Sequence, residues 1–330
     1  MKERISLFDN IKFLLIFLVV LGHLIEKYTG DFHIYNSVFV FIYTFHMPLF
    51  IFISGLFYKK KSAGKNVLTY LVLWFLVYCV NHCVYIFLGQ NPRFRPLTGL
   101  DGLPWFMFAM AAFWALTYFL DGFGRKKVLL LSLIPPLISG FFPVIHDAFA
   151  LSRIIVYYPY FLAGSLIRPS GLIELRKNKT FRFTGITILI LWFLFCLFAV
   201  NYAAALRHLF TGRNPYNPAY FPFGPFLRLF CYALTSAVSA GIISLVPENR
   251  IPLISEYGKR TVQVYFWSTA FHKILIIPTH TYVTIAHMRP GIFIIFLIAL
   301  GETLLLSTKA ASFPTSQIMA LISDISSGKK

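Results

Sequence analysis

The chain has 330 residues, of which 58% are hydrophobic, 18% aromatic and only 13% charged, and its formal net charge is +18. Soluble globular domains carry roughly 25% charged residues, so the polar surface needed to cover a water-soluble fold is missing. Intrinsic disorder and a nucleic-acid-binding module are excluded on the same ground. The mean hydropathy of +0.71 points instead to a polytopic membrane protein, whose inner face carries the surplus of Lys and Arg.

Apolar segments follow one another along the chain at residues 11–28, 38–58, 67–88, 103–120, 128–142, 152–167, 183–205, 226–246, 261–277 and 291–307. A bilayer-crossing helix needs about 20 such residues. The fifth and sixth segments are short and interrupted by Pro135, Pro136 and Pro159. Lys2 and Arg4 ahead of the first run imitate a secretory leader. No small-residue cleavage site follows, however, and polar His23, Glu26 and Lys27 come next, so the segment reads as an uncleaved helix. The pattern predicts an all-α, polytopic membrane helix bundle of about ten transmembrane helices in a single domain over residues 1–330, with no soluble domain appended.

Lys and Arg distribute unevenly between alternate loops. One set holds 20 of the 30 basic residues, among them Lys59, Lys60, Lys61, Lys65, Arg125, Lys126, Lys127, Lys329 and Lys330. The other holds nine, including Arg93, Arg95, Arg153, Arg207, Arg213 and Arg228, and Lys12 lies inside the first segment. Positive charge stays on the cytoplasmic side, so both termini are expected in the cytoplasm and the protein in the plasma (inner) membrane of the cell. The partners expected on this basis include the lipid bilayer and no nucleic acid. Cys79, Cys83, Cys196 and Cys231 all sit in apolar runs without metal-ligand spacing, which predicts neither disulfides nor a metal site.

Ionisable residues inside a span are costly and mark candidate functional positions. Asp9, Lys12, His23 and Glu26 share one face of the first helix, with about 16 Å of rise from Lys12 to His23, and Asp9 and Lys12 are spaced to pair at i,i+3. The second segment carries Phe45-His46-Met47-Pro48. His46 lies roughly 18 Å from its cytoplasmic end, a depth comparable to that of His23. Pro48 frees the carbonyl of Thr44 and bends the helix. Each histidine also fits a plain packing role. As a base, imidazole suits a reaction that activates a hydroxyl within the membrane. Lys59, Lys60, Lys61 and Lys65 offer point charges to phosphates, or are simply inner-face charge. Glu302, Asn81, His82 and Gln263 are expected to form interhelical hydrogen bonds, and Trp105 either stacks on a sugar or belongs to the interfacial belt.

At Asp9-x-x-Lys12, Gly22-His23, Phe45-His46-Met47-Pro48-Leu49-Phe50 and Ser54-Gly55, the sequence resembles the acyltransferase-3 family of membrane acyltransferases, and within it the fucose 4-O-acetylase-like, surface-polysaccharide O-acetylating branch. Leu103-Pro104-Trp105-Phe106 and the stretch from Tyr257-Gly258-Lys259-Arg260 to Tyr265 extend the resemblance. It implies transfer of an acyl group, commonly acetyl from cytoplasmic acetyl-CoA, to a hydroxyl of a cell-envelope carbohydrate or its lipid-linked precursor. By the same resemblance His23 is the catalytic histidine, Lys12 its motif partner and His46 a residue that orients acceptor or acyl group. On that reading Asp9 and Lys12 shape the donor mouth and Lys59, Lys60, Lys61 and Lys65 hold the CoA phosphates. Glu26 and Trp105 face the acceptor. The chain departs from the family pattern where the third span lacks an inner Arg-x-Arg, and where Ser268 stands at a position that often holds His, with His272 one turn later. The alternative class is a secondary transporter or flippase for a lipid-linked sugar; the absence of an internal repeat counts against it.

Overall fold

The computed structural model describes residues 5–98, 104–276 and 280–327; Lys2, Arg4, Leu103, Lys329 and Lys330 lie outside them. All regular structure among the described residues is helical. In chain order the first helices are α1 (Ser6–Ile25), α2 (His33–Leu56), α3 (Ala63–Phe87), α4 (Pro104–Leu120), α5 (Arg125–Ser132) and α6 (Ile134–Ser139). Next come α7 (Leu151–Leu166), α8 (Pro169–Lys177), α9 (Lys179–Phe198), α10 (Val200–Ala205), α11 (Arg207–Phe210) and α12 (Gly224–Leu245). The last are α13 (Pro252–Tyr257), α14 (Thr261–Ile276), α15 (His280–His287), α16 (Gly291–Leu306) and α17 (Thr315–Ser327). Helix is the form in which these apolar runs satisfy every backbone group without water.

Among the described residues, seven helical stretches are long and apolar enough to cross a membrane, and Gly291–Leu306 is a shorter apolar helix. The count differs from ten for local reasons. The fifth segment is divided, because prolines at the start of α6 remove donors that continued helix would need. The helix α16 has 16 residues, about 24 Å of rise against a hydrocarbon core of about 30 Å, and α14 is described only as far as Ile276.

The chain divides into two compact units. The first comprises Met1–Phe39, Leu71–Pro96 and Val246–Lys330. Here α1 packs against α13, α14 and α16. It is apolar on most of its circumference and buries Phe8, Ile11, Leu15, Ile16, Val20 and Ile25, as expected of a helix inside a bundle rather than on its surface. Its N-terminal turns are tied down by Asn10. The Asn10 amide donates to the carbonyls of Pro247 (2.9 Å) and Asn249 (3.0 Å), and its oxygen accepts from the Ser255 hydroxyl (2.6 Å). Gly258 runs so close to α1 that a Cβ there would collide with the Asp9 carbonyl. The start of α14 closes the end of α16: Gln263 Nε2 donates to the Leu306 and Thr308 carbonyls, both at 2.7 Å, and Arg260 donates to Ser307 O at 3.1 Å. Carbonyls in the last turn of a helix have no partner within it, so the expected interhelical bonding of Gln263 supplies one. Elsewhere in this unit the expectation of hydrogen bonds is not met among the described residues: Asn81 Oδ1 is buried with no hydrogen-bond partner there, and His82 stacks on Tyr78 with Phe94 against its edge.

The second unit comprises Val40–Tyr70 and Leu97–Leu245, so the boundary falls within α2 and α3. Gly55 of α2 and Gly164 of α7 meet reciprocally: a Cβ on Gly55 would strike the Phe161 carbonyl, and one on Gly164 the Phe52 carbonyl. Small residues permit this close crossing, which accounts for Ser54-Gly55 without invoking catalysis. One turn before Pro48, the freed Thr44 carbonyl accepts a hydrogen bond from the Thr235 hydroxyl of α12 at 2.7 Å. The Thr44 hydroxyl donates to Val40 O and accepts from Trp192 Nε1, both at 2.9 Å. Thr44 thus joins α2 to α12 through the carbonyl that Pro48 frees and to α9 through its hydroxyl.

Thr235→Val is expected to lower the melting temperature of the detergent-solubilised protein, at a cost of about 1 kcal/mol for the orphaned carbonyl, while Thr235→Ser keeps most of it. Equal melting of all three proteins would show that this bond does not contribute.

Candidate active site

The polar face of α1 keeps its predicted pairing. Lys12 Nζ lies 2.8 Å from Asp9 Oδ1, with the carboxylate buried and the lysine half-buried. Toward the other end of the helix, His23 Nδ1 is 3.6 Å from Glu26 Oε2, and the histidine side chain keeps 28% of its surface exposed. Such partial exposure lets a base meet a ligand while its ring is held by packing.

The first unit adds a second pair that the sequence names only as separate residues. His272 Nε2 of α14 lies 2.7 Å from Glu302 Oε2 of α16, with 13% and 2% of the side chains exposed. Glu302 also interacts electrostatically with His23, so α1, α14 and α16 gather two imidazoles and a buried carboxylate. An isolated carboxylate buried this far costs several kcal/mol unless it is paired. His272 is the pairing group. The other oxygen, Glu302 Oε1, is buried and has no hydrogen-bond partner among the described residues, which leaves an acceptor for a hydroxyl. Ser268, at the position where a histidine is common in the resembling family, turns its hydroxyl back toward Tyr265 O at 3.4 Å.

The remaining candidates lie in the second unit. His46 is 4% exposed. Its Nδ1 is 2.8 Å from Ile42 O, four residues earlier. If that nitrogen donates, Nε2 carries the lone pair of the neutral ring. The Tyr43 ring packs against it with centroids 4.6 Å apart. In the lysine run, Lys60 pairs with Asp121 (3.1 Å) and lies over the Tyr118 ring (5.8 Å), whereas Lys59 and Lys61 are exposed and Lys65 is half-buried. Asp121 also binds Arg125 (3.1 Å), so Lys60 shares its carboxylate with a second cation. Trp105 is half-buried; the Arg153 guanidinium sits 4.9 Å from its ring centre and the Tyr157 ring 5.6 Å away. One face of that indole is therefore already covered by a cation. The described residues contain no group of three or more His, Cys, Asp or Glu side chains able to hold a metal ion.

Truncating either side of the His272–Glu302 pair to alanine strands the other. Each single substitution is expected to destabilise by about 3 kcal/mol, and the double mutant by less than the sum, with a coupling of at least about 1 kcal/mol. Thermal unfolding in detergent measures this, and additive losses would show that the residues do not act as a pair.

Known proteins now bear on these residues. The family described as "Acyltransferase domain", acyltransferase-3, matches residues 5–308. A protein named "Nodulation protein NolL", from Sinorhizobium fredii (strain NBRC 101917 / NGR234), is 28% identical over 216 residues, which are 59% of this chain and 57% of that protein. The matched region thus spans little more than half the length of that relative. No solved structure matches the chain. The family match contains the α1 face, His46, the lysine run and the His272–Glu302 pair alike, and this integral, multi-pass membrane protein therefore belongs to the acyltransferase-3 family.

Proposed function

We propose that the protein is an O-acyltransferase of the plasma or inner membrane that moves an acyl group, acetyl in the simplest case, from cytoplasmic acyl-CoA to a hydroxyl of a cell-envelope carbohydrate. The observation that carries this reading is His23, a half-buried imidazole on a family-matched helix, set beside Glu26 and within electrostatic reach of the buried Glu302. Imidazole is the side chain that exchanges a proton near neutral pH, and acyl transfer to an alcohol needs one such exchange.

In the proposed step the acceptor oxygen attacks the thioester carbonyl as its proton passes to His23. The tetrahedral intermediate then collapses, breaking the carbon–sulfur bond. Coenzyme A leaves as the thiolate and takes up the proton, and the products are an ester and free thiol. Glu26 is placed to hold the ring and balance the imidazolium. Glu302 Oε1 is an acceptor suited to an acceptor hydroxyl, with His272 fixing the carboxylate. Asp9 and Lys12 form an ion pair on the same helix and shape the donor mouth. Lys59, Lys61 and Lys65 are assigned to the phosphates of CoA, with Lys60 divided between that role and Asp121. In this reading His46 orients the acyl group or acceptor, and Trp105 offers the acceptor whichever ring surface Arg153 leaves open.

A positioned general base contributes about 10²–10⁴-fold. The purified protein, given acetyl-CoA and a cell-envelope carbohydrate extract, is expected to release CoA thiol, and His23→Ala to lower the rate by that factor without leaving the membrane fraction. Full activity in the variant would remove His23 from the mechanism. Vesicle transport of a lipid-linked sugar, with no dependence on acyl-CoA, would replace the enzyme reading with a transporter.

A further inference from the structure

The second unit contains an apolar cavity of about 210 Å³ whose lining includes none of the residues assigned to acyl transfer. Small side chains leave the space: Ala163 on α7, and Ser236 and Ala240 one turn apart on α12. Pro48 of α2 lies against it as well. The Ser236 hydroxyl is turned to Tyr232 O in its own helix, 2.8 Å away, so that wall presents hydrocarbon. An apolar cavity of about 150 Å³ stays dry and takes up benzene, and this larger one has room for several carbons of a chain. Atoms along such a wall lack dispersion partners on one side, which favours hydrocarbon over water there.

Ile167 and Leu175 belong to the lining and stay 36% and 43% exposed, so the cavity opens where α7 gives way to α8. The same stretch of chain is strongly basic. Arg168 follows Ile167, Lys177 stands two positions after Leu175, and Lys179 and Arg182 flank Phe181, another lining residue. These four cations are exposed, and Glu174 is the acid within residues 167–182. Arg176 is set apart from them, half-buried and directed to Ser244 O at 3.4 Å. The helix α8 puts Leu172 and Leu175, spaced i,i+3, on the cavity, while Ser170, Glu174 and Lys177 fall on its opposite side, the pattern of a helix lying in a membrane interface. By the distribution of Lys and Arg this is the inner end of the unit, where anionic lipid gathers.

A hydrocarbon space under a basic rim matches a molecule with a chain at one end and negative charge at the other. A free phosphate would leave the cavity unused, and a lipid without net charge would leave the cations unused. We propose that an anionic glycerophospholipid, phosphatidylglycerol in the simplest case, inserts one acyl chain into this cavity and places its phosphate against Arg168, Lys177, Lys179 and Arg182. The four cations are spread along α8 and the start of α9 rather than set as a fork around one group, which suits the mobile headgroup of an abundant lipid. Bound there, the chain fills the space between α2, α7 and α12, and the headgroup ties α8 to it. The site takes a component of the bilayer and does not rest on the acyl-transfer reading.

Native mass spectrometry of the purified full chain in detergent, without acyl-CoA, tests this by comparing phosphatidylglycerol with phosphatidylcholine of identical chains. Phosphatidylglycerol is expected to bind at least about fivefold tighter, with the preference shrinking as salt rises. The triple variant Lys177→Gln, Lys179→Gln, Arg182→Gln, at three exposed positions, is expected to bring its affinity down to that of phosphatidylcholine. Ser236→Leu with Ala240→Leu, or Ala163→Leu on another wall, fills the cavity and is expected to weaken both lipids at least about fivefold; a variant is scored when it keeps the parent melting temperature. On the unmodified chain, single-chain lysophosphatidylglycerol is expected to displace the lipid, and glycerol 1-phosphate at the same concentration to leave it bound. Equal affinity for the two phospholipids, an unchanged preference in the triple variant, unchanged binding in a filled cavity, or displacement by glycerol 1-phosphate would overturn the proposal. Tighter binding of a polyprenyl phosphate, lost in the same variants, would overturn the assignment to a phospholipid and give the site to that carrier.

Discussion

A carbonyl oxygen released by a proline in the middle of a membrane helix has to be paired by the protein, since no water is there to do it. Pro48 releases Thr44 O, and Thr235 supplies the donor. The same demand is met at several other polar groups in the interior. The last turn of α16 is closed by Gln263 and Arg260, the Asn10 amide is satisfied at both of its ends, and the Glu302 carboxylate is matched by His272. These bonds give an otherwise uniform set of apolar helices a specific arrangement, because dispersion alone discriminates weakly between one helix rotation and another.

That demand also explains why the α1 face can carry ionisable residues at all. The helix is apolar over most of its circumference, so its polar stripe is tolerated only where partners meet it. Asp9 and Lys12 neutralise each other within three residues. The close approach of Gly258 to the Asp9 backbone and the Asn10 bonds fix that end of the helix against the segment before α14. His23, farther along, is held more loosely by a 3.6 Å contact and stays partly exposed. A structural histidine would be expected to have the tighter bond and the deeper burial, as His46 does with 4% exposure and a 2.8 Å bond to its own helix. The contrast favours His23 over His46 as the group that exchanges protons with a ligand.

Much of this was legible in the sequence, and the limits have physical causes. The Asp9–Lys12 pair follows from helical spacing alone, as does the release of Thr44 O by Pro48. What lies across from a residue does not follow from its own periodicity. Gln263 and Glu302 were recognisable as polar residues in apolar helices, yet the partner of each sits 43 and 30 positions away in sequence on another helix, at a rotation that no single-helix pattern specifies. Asn81 and His82 show the converse, since their expected interhelical hydrogen bonds do not form among the described residues. Lys60 read as one of a run of equivalent charges until Asp121 set it apart. Arg153, Arg213 and Arg228 were visible only as outer-side members of a charge count, which records the sidedness of a loop and not the convergence of its side chains. Ser54-Gly55, the small-residue end of the second-helix motif, is a packing device: the glycine admits α7, and the Ser54 hydroxyl donates to Phe50 O in its own helix.

The two units treat charge in opposite ways. In the first, ionisable groups form acid–base pairs, Asp9 with Lys12, Glu26 with His23 and Glu302 with His272. In the second, the deep charges include the guanidiniums of Arg153 and Arg228, which keep their proton at any physiological pH. Groups that titrate suit a step in which a proton must move; groups that cannot titrate suit recognition of a charge that must stay. A single buried cluster could not easily do both, because fixed cations beside a histidine would disfavour the imidazolium that acyl transfer requires.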